Sequence, residues 1–142
     1  MGDNVINSKF LDLFSGCGSI GIEAYSRGAA EVIFVDASIK SIEILNSNIR
    51  KIGIEKYIEI VNMNYKNAIC KLADRGKKFD IIFADPPYKS NIYFDILRMI
   101  DHKNILTKNG IVVIEQDSKE PESYINGYLK LIKKKIYGNS QL

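Results

Sequence analysis

The segment Asp85-Pro86-Pro87-Tyr88 follows the apolar run Phe79 to Ala84 and is suited to chemistry on a planar amine. Proline has no N–H group and a fixed φ, and a residue before proline is kept out of the helical region. The turn can therefore present carbonyl and carboxylate oxygens that accept both hydrogens of an exocyclic amine, while Tyr88 offers a ring for base stacking. An ordinary turn that ends a strand is the alternative. We predict that Asp85, Pro86, Pro87 and Tyr88 hold a nucleobase amine as the nucleophile.

A glycine motif lies upstream, where the predicted strand Lys9 to Phe14 meets a predicted helix from Ile20 to Ser26. Glycines in such a turn let the backbone approach a ligand and present the N–H groups of the helix N-terminus. A carboxylate about twenty positions later, at the end of the next strand, can accept both ribose hydroxyls. The sequence therefore predicts an adenosine-like cofactor held by Gly16, Gly18, Gly21, Asp36 and the adjacent Ala37.

Two residues before the glycines bear on the identity of the cofactor. Nicotinamide dehydrogenases use the same glycines to hold a pyrophosphate. Asp12 adds negative charge at the strand tip, and the bulky Phe14 lies two residues before the first glycine, so a diphosphate is disfavoured there. The pair suits the ammonium and sulfonium end of S-adenosylmethionine. A capping or turn role for Asp12 is the alternative.

A third polar position follows the predicted strand near Tyr57 to Val61. Asn64 is a good N-cap for a helix from Asn67 to Asp74. It could also accept from and donate to an adenine edge, with the backbone N–H of Tyr65 beside it. The two roles are compatible, so Asn64 and Tyr65 join the predicted cofactor site.

These motifs together resemble a known family. The run from Asp12 to Ala24, then Ser26-Arg27-Gly28-Ala29, Asp36 and the Asp85 to Tyr88 turn, is similar to class I S-adenosylmethionine-dependent N-methyltransferases. More narrowly it resembles the bacterial 16S rRNA guanine-N2 methyltransferases of the RsmD type. The resemblance implies methyl transfer to a guanine N2 amine in 16S rRNA, free or in an assembling small ribosomal subunit. Adenine N6, a protein glutamine amide and a non-catalytic RNA-binding role remain open.

The ends of the chain depart from the family pattern. Such proteins usually begin with a basic segment and a helix, whereas only Met1 to Ser8 precede the first predicted strand. The segment Lys135 to Gly138 resembles the family's last hairpin, and we expect the chain to stop before its final strand. The fold is thus expected to be shortened at both ends.

Bulk composition sets the broad class. The chain has 142 residues, 46% hydrophobic, with a net charge of +3, which predicts one mildly basic domain spanning 1–142. Two cysteines and one histidine give no metal site, and we expect Cys17 and Cys70 to be packing residues.

No leader or membrane span is recognised, so we expect a cytoplasmic protein. We also expect it to be a monomer. A lysine cluster near the end is either an edge strand kept from aggregating or a rim for RNA phosphates: Lys130, Lys133, Lys134 and Lys135.

Strands and helices alternate along the chain, which predicts an α/β, Rossmann-like, mostly parallel sheet with helices on both faces. A helix capped by Ser38 and ended by Gly53 should bury a stripe of Ile42, Leu45, Ile49 and Ile52. The helix Tyr93 to Ile100 should turn Phe94, Leu97 and Ile100 or Met99 inward. Strand five is predicted at Gly110 to Glu115. Ligands of such sheets lie across the carboxyl ends of the strands, where Asp12, Asp36, Asn64 and Asp85 all fall.

Overall fold

The structure, a computed structural model, describes residues 2–87, 92–117, 136–137 and 140–141. Tyr88 and the four clustered lysines therefore lie outside the described residues. A 3₁₀ turn at Gly2–Val5 leads into the alternating strands and helices. The predicted α/β order is confirmed.

A five-stranded parallel sheet in the order β3-β2-β1-β4-β5 forms the centre of the fold. Its central strand β1 pairs with β2 on one side and β4 on the other, so that Asp12 lies between Phe34 and Phe83. All five carboxyl ends therefore meet at one edge, which we call the carboxyl edge. The strands are β1 Lys9–Leu13, β2 Glu31–Asp36, β3 Ile58–Asn62, β4 Phe79–Ala84 and β5 Leu106–Ile114.

Helices cover both faces of this sheet, and each face has its own apolar core. One core joins β-strand side chains to α1 and α2, with Phe34, Leu45 and Ile49 at its centre. The other joins them to α3 and α4, through Ile69, Leu72 and Ile96 among others. The helices are α1 Ser19–Ser26, α2 Ile39–Ile52, α3 Tyr65–Asp74 and α4 Ile92–Lys103.

Local signals explain where most elements begin and end. The Ser38 side chain accepts the backbone N–H of Ser41 at the start of α2, and Gly53 ends that helix with a φ of 78°. Asn64 caps α3 in the same way, so α3 begins at Tyr65 and not at Asn67. Gly28 follows α1 with a φ of 104°, a conformation that suits glycine just past the end of a helix.

Two predicted apolar faces are partly wrong. In α2 the stripe is buried at Leu45 and Ile49, but Ile52, the last residue of the helix, is 53% exposed. In α4 the buried residues are Tyr93, Ile96 and Ile100. Phe94 and Leu97 are only half-buried, and the guanidinium of Arg98 lies 5.2 Å from the centre of the Phe94 ring.

The predicted fifth strand was too short, and the final strand was wrongly left out. β5 begins at Leu106 because Leu106 pairs with Phe79 before a register shift that ends at Ile111. Three short antiparallel strands form a second sheet in the order β6-β8-β7. They are β6 Gln116–Asp117, β7 Ile136–Tyr137 and β8 Ser140–Gln141, so a strand does follow the hairpin segment.

No helix among the described residues is both long enough and apolar enough to cross a membrane. The features that matter for chemistry lie instead at the carboxyl edge of the parallel sheet.

Candidate active site

The carboxyl edge gathers the polar residues that the sequence singled out. Asp12 is the penultimate residue of β1, Asp36 is the last residue of β2, and Asp85 directly follows β4. Asn64 lies just beyond β3 as the cap of α3. Asp36 and Asp85 both act electrostatically on Asp12, so the structure brings these three carboxylates together.

Asp12 is the most unusual of these groups. Its side chain is 1% exposed, on the sheet face that packs against α1 and α2, and its Oδ2 accepts the backbone N–H of Gly21 at 3.1 Å. Burial, opposed by that hydrogen bond and reinforced by Asp36 and Asp85, raises the pKa of Asp12 to about 7. The contact with the first turn of α1 is the capping role that was the alternative. It also leaves a buried carboxylate whose charge a bound cation would stabilise.

The three glycines of the motif serve different purposes. A Cβ on Gly18 would overlap the Leu45 side chain, and a Cβ on Gly21 would overlap the Phe34 ring. Packing of α1 therefore requires both of these glycines, and this requirement is independent of any ligand. Gly16, with a φ of 56°, has no atom within 4 Å of a built Cβ, so open space lies beside it.

The residues around Gly16 form the polar rim of that open space. The Ser15 hydroxyl is buried and has no hydrogen-bond partner among the described residues. Phe14 adopts a left-handed φ of 58°, a conformation that is strained for a bulky residue. The Asn48 amide donates to the Cys17 carbonyl at 3.0 Å and ties α2 to the loop. An adenosine-like cofactor fits here, because an orphaned hydroxyl and a buried carboxylate border an open cradle.

Asp36 holds the glycine loop from the neighbouring strand. Its Oδ2 accepts the Gly16 N–H and its Oδ1 accepts the Ser38 N–H, both at 2.8 Å. A carboxylate has about four acceptor positions, so each oxygen keeps one for a hydroxyl. Ala37 beside it is exposed and presents no bulk. The arrangement suits a ribose lying across the end of β2.

Asn64 and Tyr65 form the turn at the third position. Asn64 Oδ1 accepts the Asn67 N–H at 2.9 Å, which confirms the cap and leaves the amide nitrogen as its donor. The Tyr65 ring lies 5.4 Å from the Phe14 ring, centre to centre. Tyr65 Oη donates to Asp95 Oδ2 of α4 at 2.7 Å. Asn64 and Tyr65 thus connect to the glycine loop through Phe14.

The turn after β4 carries the remaining predicted residues. Asp85 and Pro87 are exposed, while Pro86 between them is buried and anchors the turn. The Ala84 carbonyl accepts the Glu115 N–H at 3.0 Å, so Glu115 lies beside the turn. Partial burial raises the pKa of Asp85, and burial together with the Asp85 charge raises the pKa of Glu115.

Four residues near the site were not recognised from the sequence. Asp95 and Glu115 carry no motif of their own, since their proximity depends on contacts between distant segments, and Ser15 lies within the glycine motif but was not singled out. Cys17 was assigned to packing, but it is exposed, and its Sγ lies 3.0 Å from Ser19 Oγ. Hydrogen bonds from Ser19 lower the pKa of Cys17. Among the described residues, no group of three or more His, Cys, Asp or Glu side chains could hold a metal ion.

The fold and this site define a domain of the Rossmann-like, S-adenosylmethionine-dependent methyltransferase class. A solved S-adenosylmethionine-dependent methyltransferase from Agrobacterium tumefaciens has a TM-score of 0.65 and 30% identity, covering 80% of this chain and 40% of that chain. A solved conserved hypothetical protein from Streptococcus pyogenes has a TM-score of 0.84 and 34% identity, covering 94% and 82%.

The particular family follows from the sequence match. Residues 1–142 match the family described as Conserved hypothetical protein 95, and the chain belongs to it. The ribosomal RNA small subunit methyltransferase D of Buchnera aphidicola (subspecies Acyrthosiphon pisum) is 36% identical over 114 residues, which cover 80% of this chain. The chain spans 58% of that relative's length. The resemblance to RsmD-type proteins is thereby confirmed.

Proposed function

We propose that this protein transfers a methyl group from S-adenosylmethionine to the exocyclic N2 amine of a guanine in small-subunit ribosomal RNA. The relative named ribosomal RNA small subunit methyltransferase D supports the rRNA substrate. The acceptor-rich turn at Asp85 supports an amine as the methyl acceptor. We place the reaction in the cytoplasm, where the substrate is 16S rRNA or an assembling small subunit, and the enzyme acts as a monomer.

The buried Asp12 carboxylate beside the open cradle at Gly16 is the observation that carries the proposal. Its pKa of about 7 reports a negative charge that the folded protein stabilises poorly. A cation bound next to it relieves that cost, because opposite charges favour the ionised carboxylate. The ammonium and sulfonium groups of S-adenosylmethionine supply such a charge, whereas the pyrophosphate of a dinucleotide adds repulsion.

Each cofactor-side residue has a defined task in this proposal. Asp12 and Ser15 face the amino acid end, and Asp36 accepts the ribose hydroxyls beside Ala37. Asn64 and the Tyr65 backbone N–H meet the adenine edge. The other residues of the predicted cofactor site give the glycine loop its shape: Phe14, Gly16, Gly18 and Gly21.

The Asp85 turn handles the acceptor amine. When bound, S-adenosylmethionine supplies a methyl on a sulfonium sulfur, which keeps the S–C bonding electrons as the amine lone pair forms the C–N bond. The amine hydrogens donate to the Asp85 carboxylate and the Pro86 carbonyl, which favours a pyramidal nitrogen with its lone pair free. Pro87 stiffens the turn, and Tyr88 stacks on the extruded base, an interaction of about 1–3 kcal/mol. The methylated nitrogen gives its surplus proton to water or to the Asp85 carboxylate after the new bond has begun to form.

This role makes Asp85 a positioning and electrostatic group more than a strong base. Removing one such preorganised group typically slows turnover by about 10²–10³-fold. Asp85→Ala should therefore lose turnover by at least about 10²-fold while still binding S-adenosylhomocysteine. Asp74→Ala is the matched control, because Asp74 is an exposed aspartate at the far end of α3.

The two measurements separate the competing functions. Calorimetric titration with S-adenosylhomocysteine reports the cofactor site, and methyl transfer to rRNA reports turnover. If Asp85→Ala loses ligand binding together with turnover, the assignment of Asp85 to the acceptor amine is wrong. If the unsubstituted protein binds the ligand but methylates no RNA, a non-catalytic RNA-binding role is favoured. Methyladenine or methylglutamine as the product would move the proposal to those substrates.

A further inference from the structure

A hydrogen bond between α3 and α4 links the two halves of the proposed active site. Tyr65 is the first residue of α3, and its Oη donates to Asp95 Oδ2 at 2.7 Å. Asp95 lies in the first turn of α4. The tyrosine hydroxyl stays protonated at neutral pH, since burial and Asp95 raise the pKa of Tyr65 to about 12. The bond therefore persists across the working pH range.

Tyr65 faces the cofactor side of the site. Its ring lies 5.4 Å from Phe14, the strained residue that leads into the glycine loop. Tyr65 also follows Asn64, the cap that holds the turn after β3. The Tyr65 ring is therefore held beside the glycine loop by contacts that do not use its hydroxyl group.

Asp95 is connected to the acceptor side through the chain and through a shared core. It lies ten positions after Asp85, on the helix that follows the acceptor turn. Ile96, next to Asp95, and Ala84, next to Asp85, belong to one core cluster, against which Phe14 and Tyr65 also pack. Close-packed cores transmit displacements from one side chain to the next. The position of α4 is therefore coupled to the position of the acceptor turn.

The ion pairs of Asp95 do not account for its placement. Lys66 Nζ lies 3.7 Å from Asp95 and Arg98 4.0 Å, and both cations are more than 60% exposed. Such solvent-exposed pairs contribute little. Lys66 also lies on α3, but the shorter bond to the partly buried Tyr65 hydroxyl, at 2.7 Å, is the less solvent-exposed of the two contacts between Asp95 and that helix.

We propose that Tyr65 and Asp95 are positioning residues for methyl transfer, whose hydrogen bond holds the acceptor turn at a fixed distance from the cofactor cradle. This inference rests on the proposed function, because the reaction whose rate changes is the proposed methyl transfer. Its consequence is a loss of transfer rate without a matching loss of cofactor affinity, because the backbone contacts of the cradle stay intact. A misplacement of 1 Å in a reacting pair can cost about 100-fold in rate.

The test uses five variants of the full chain: four single variants and the double variant that combines Tyr65→Phe with Asp95→Ala. Tyr65→Phe removes the hydroxyl and keeps the ring, and Asp95→Ala removes its acceptor. Asp95→Asn keeps an oxygen that can accept the same bond and should restore the rate. Tyr25→Phe is the control, since it deletes a tyrosine hydroxyl near the end of α1, where the ring stacks on Tyr57 instead.

Single-turnover methyl transfer to rRNA gives the first readout. Tyr65→Phe and Asp95→Ala should each lower the rate by about 10-fold to 100-fold. The double variant should be no slower than either single variant, because one bond is lost in each. Wild-type rates in Tyr65→Phe, or an additive loss in the double variant, would overturn the inference.

Amide hydrogen exchange gives a second readout that needs no RNA substrate. In the unsubstituted protein, S-adenosylhomocysteine should slow exchange in α1 and also in the first turn of α4. In Tyr65→Phe the slowing should remain in α1 and disappear from α4. Equal slowing of α4 in both proteins would refute the coupling even if rRNA proved not to be the substrate. Failure of the proposed function alone would instead leave this exchange pattern in place.

Discussion

Replacing Asp12 by asparagine tests the electrostatics of the site with a minimal change of shape. Asparagine keeps an oxygen that can accept the Gly21 N–H but carries no charge. The pKa of Asp12 is about 7 in the folded protein, against 3.8 for an unperturbed aspartate. Between these values the folded state keeps a proton that the unfolded state has lost. The stabilising contribution is thus complete below pH 3.8 and is lost as the pH rises through about 7.

The size of the effect follows from the same shift. A difference of about 3 pKa units, at about 1.4 kcal/mol per unit, gives about 4 kcal/mol as an upper bound. The ligand-free protein should therefore be less stable at pH 8 than at pH 5. Asp12→Asn should be more stable than the unsubstituted protein at pH 8, by up to about 4 kcal/mol, and nearly equal to it near pH 4.

Urea unfolding of both proteins, at several values of pH and without ligand, measures this difference. Calorimetric titration with S-adenosylmethionine at pH 8 is the companion assay. Asp12→Asn should bind the cofactor more weakly there, because the charge facing its cationic end is gone. A stability difference that is the same at pH 4 and pH 8 would refute the electrostatic reasoning. Undiminished cofactor binding by the variant would refute the placement of the cation beside Asp12.

Two further predictions concern the glycine loop. The exposed Cys17 should react readily with iodoacetamide, since its pKa is lowered, and saturating S-adenosylhomocysteine should protect it from labelling. Mass spectrometry measures the labelling rate, with the half-buried Cys70 as the internal control. A rate of Cys17 labelling that the ligand leaves unchanged would place the ligand elsewhere. Gly21→Ala should cost about 1–3 kcal/mol in urea unfolding because its Cβ overlaps Phe34. Gly16→Ala should cost about 1–2 kcal/mol through its left-handed φ of 56°, and it should also weaken ligand binding because its Cβ enters the open space. Undiminished ligand binding by Gly16→Ala would contradict the distinction.

The sequence predicts the fold well where the signals are local. The Ser38 cap and Gly53 gave the correct limits of α2, and the apolar run Phe79–Ala84 coincides with β4. The failures arise where tertiary contacts decide. The inward face of α4 is set by its packing on α3 and the sheet, so Tyr93 and Ile96 are buried where Phe94 and Leu97 were expected. Periodicity alone does not distinguish those adjacent faces.

In the candidate site, too, residues marked by local signals could be predicted and residues placed by tertiary contacts could not. Residues that lie at strand ends, such as Asp36 and Asp85, could be found because parallel strands bring their carboxyl ends to one edge. The bond from Tyr65 to Asp95 joins positions thirty residues apart and leaves no local pattern. The packing requirement for a glycine at Gly18 could not be predicted either, because the side chain that a Cβ there would overlap is Leu45 of the next helix.

Transfer of a labelled methyl group from S-adenosylmethionine to small-subunit rRNA is the measurement that tests the central claim most directly. The substrate is rRNA, or partly assembled subunits, from cells that lack the modification, and the product is identified by nucleoside analysis. The account predicts incorporation as N2-methylguanine that is lost in Asp85→Ala and kept in Asp74→Ala. Label in another base, or no label in a preparation that binds S-adenosylhomocysteine, would contradict it.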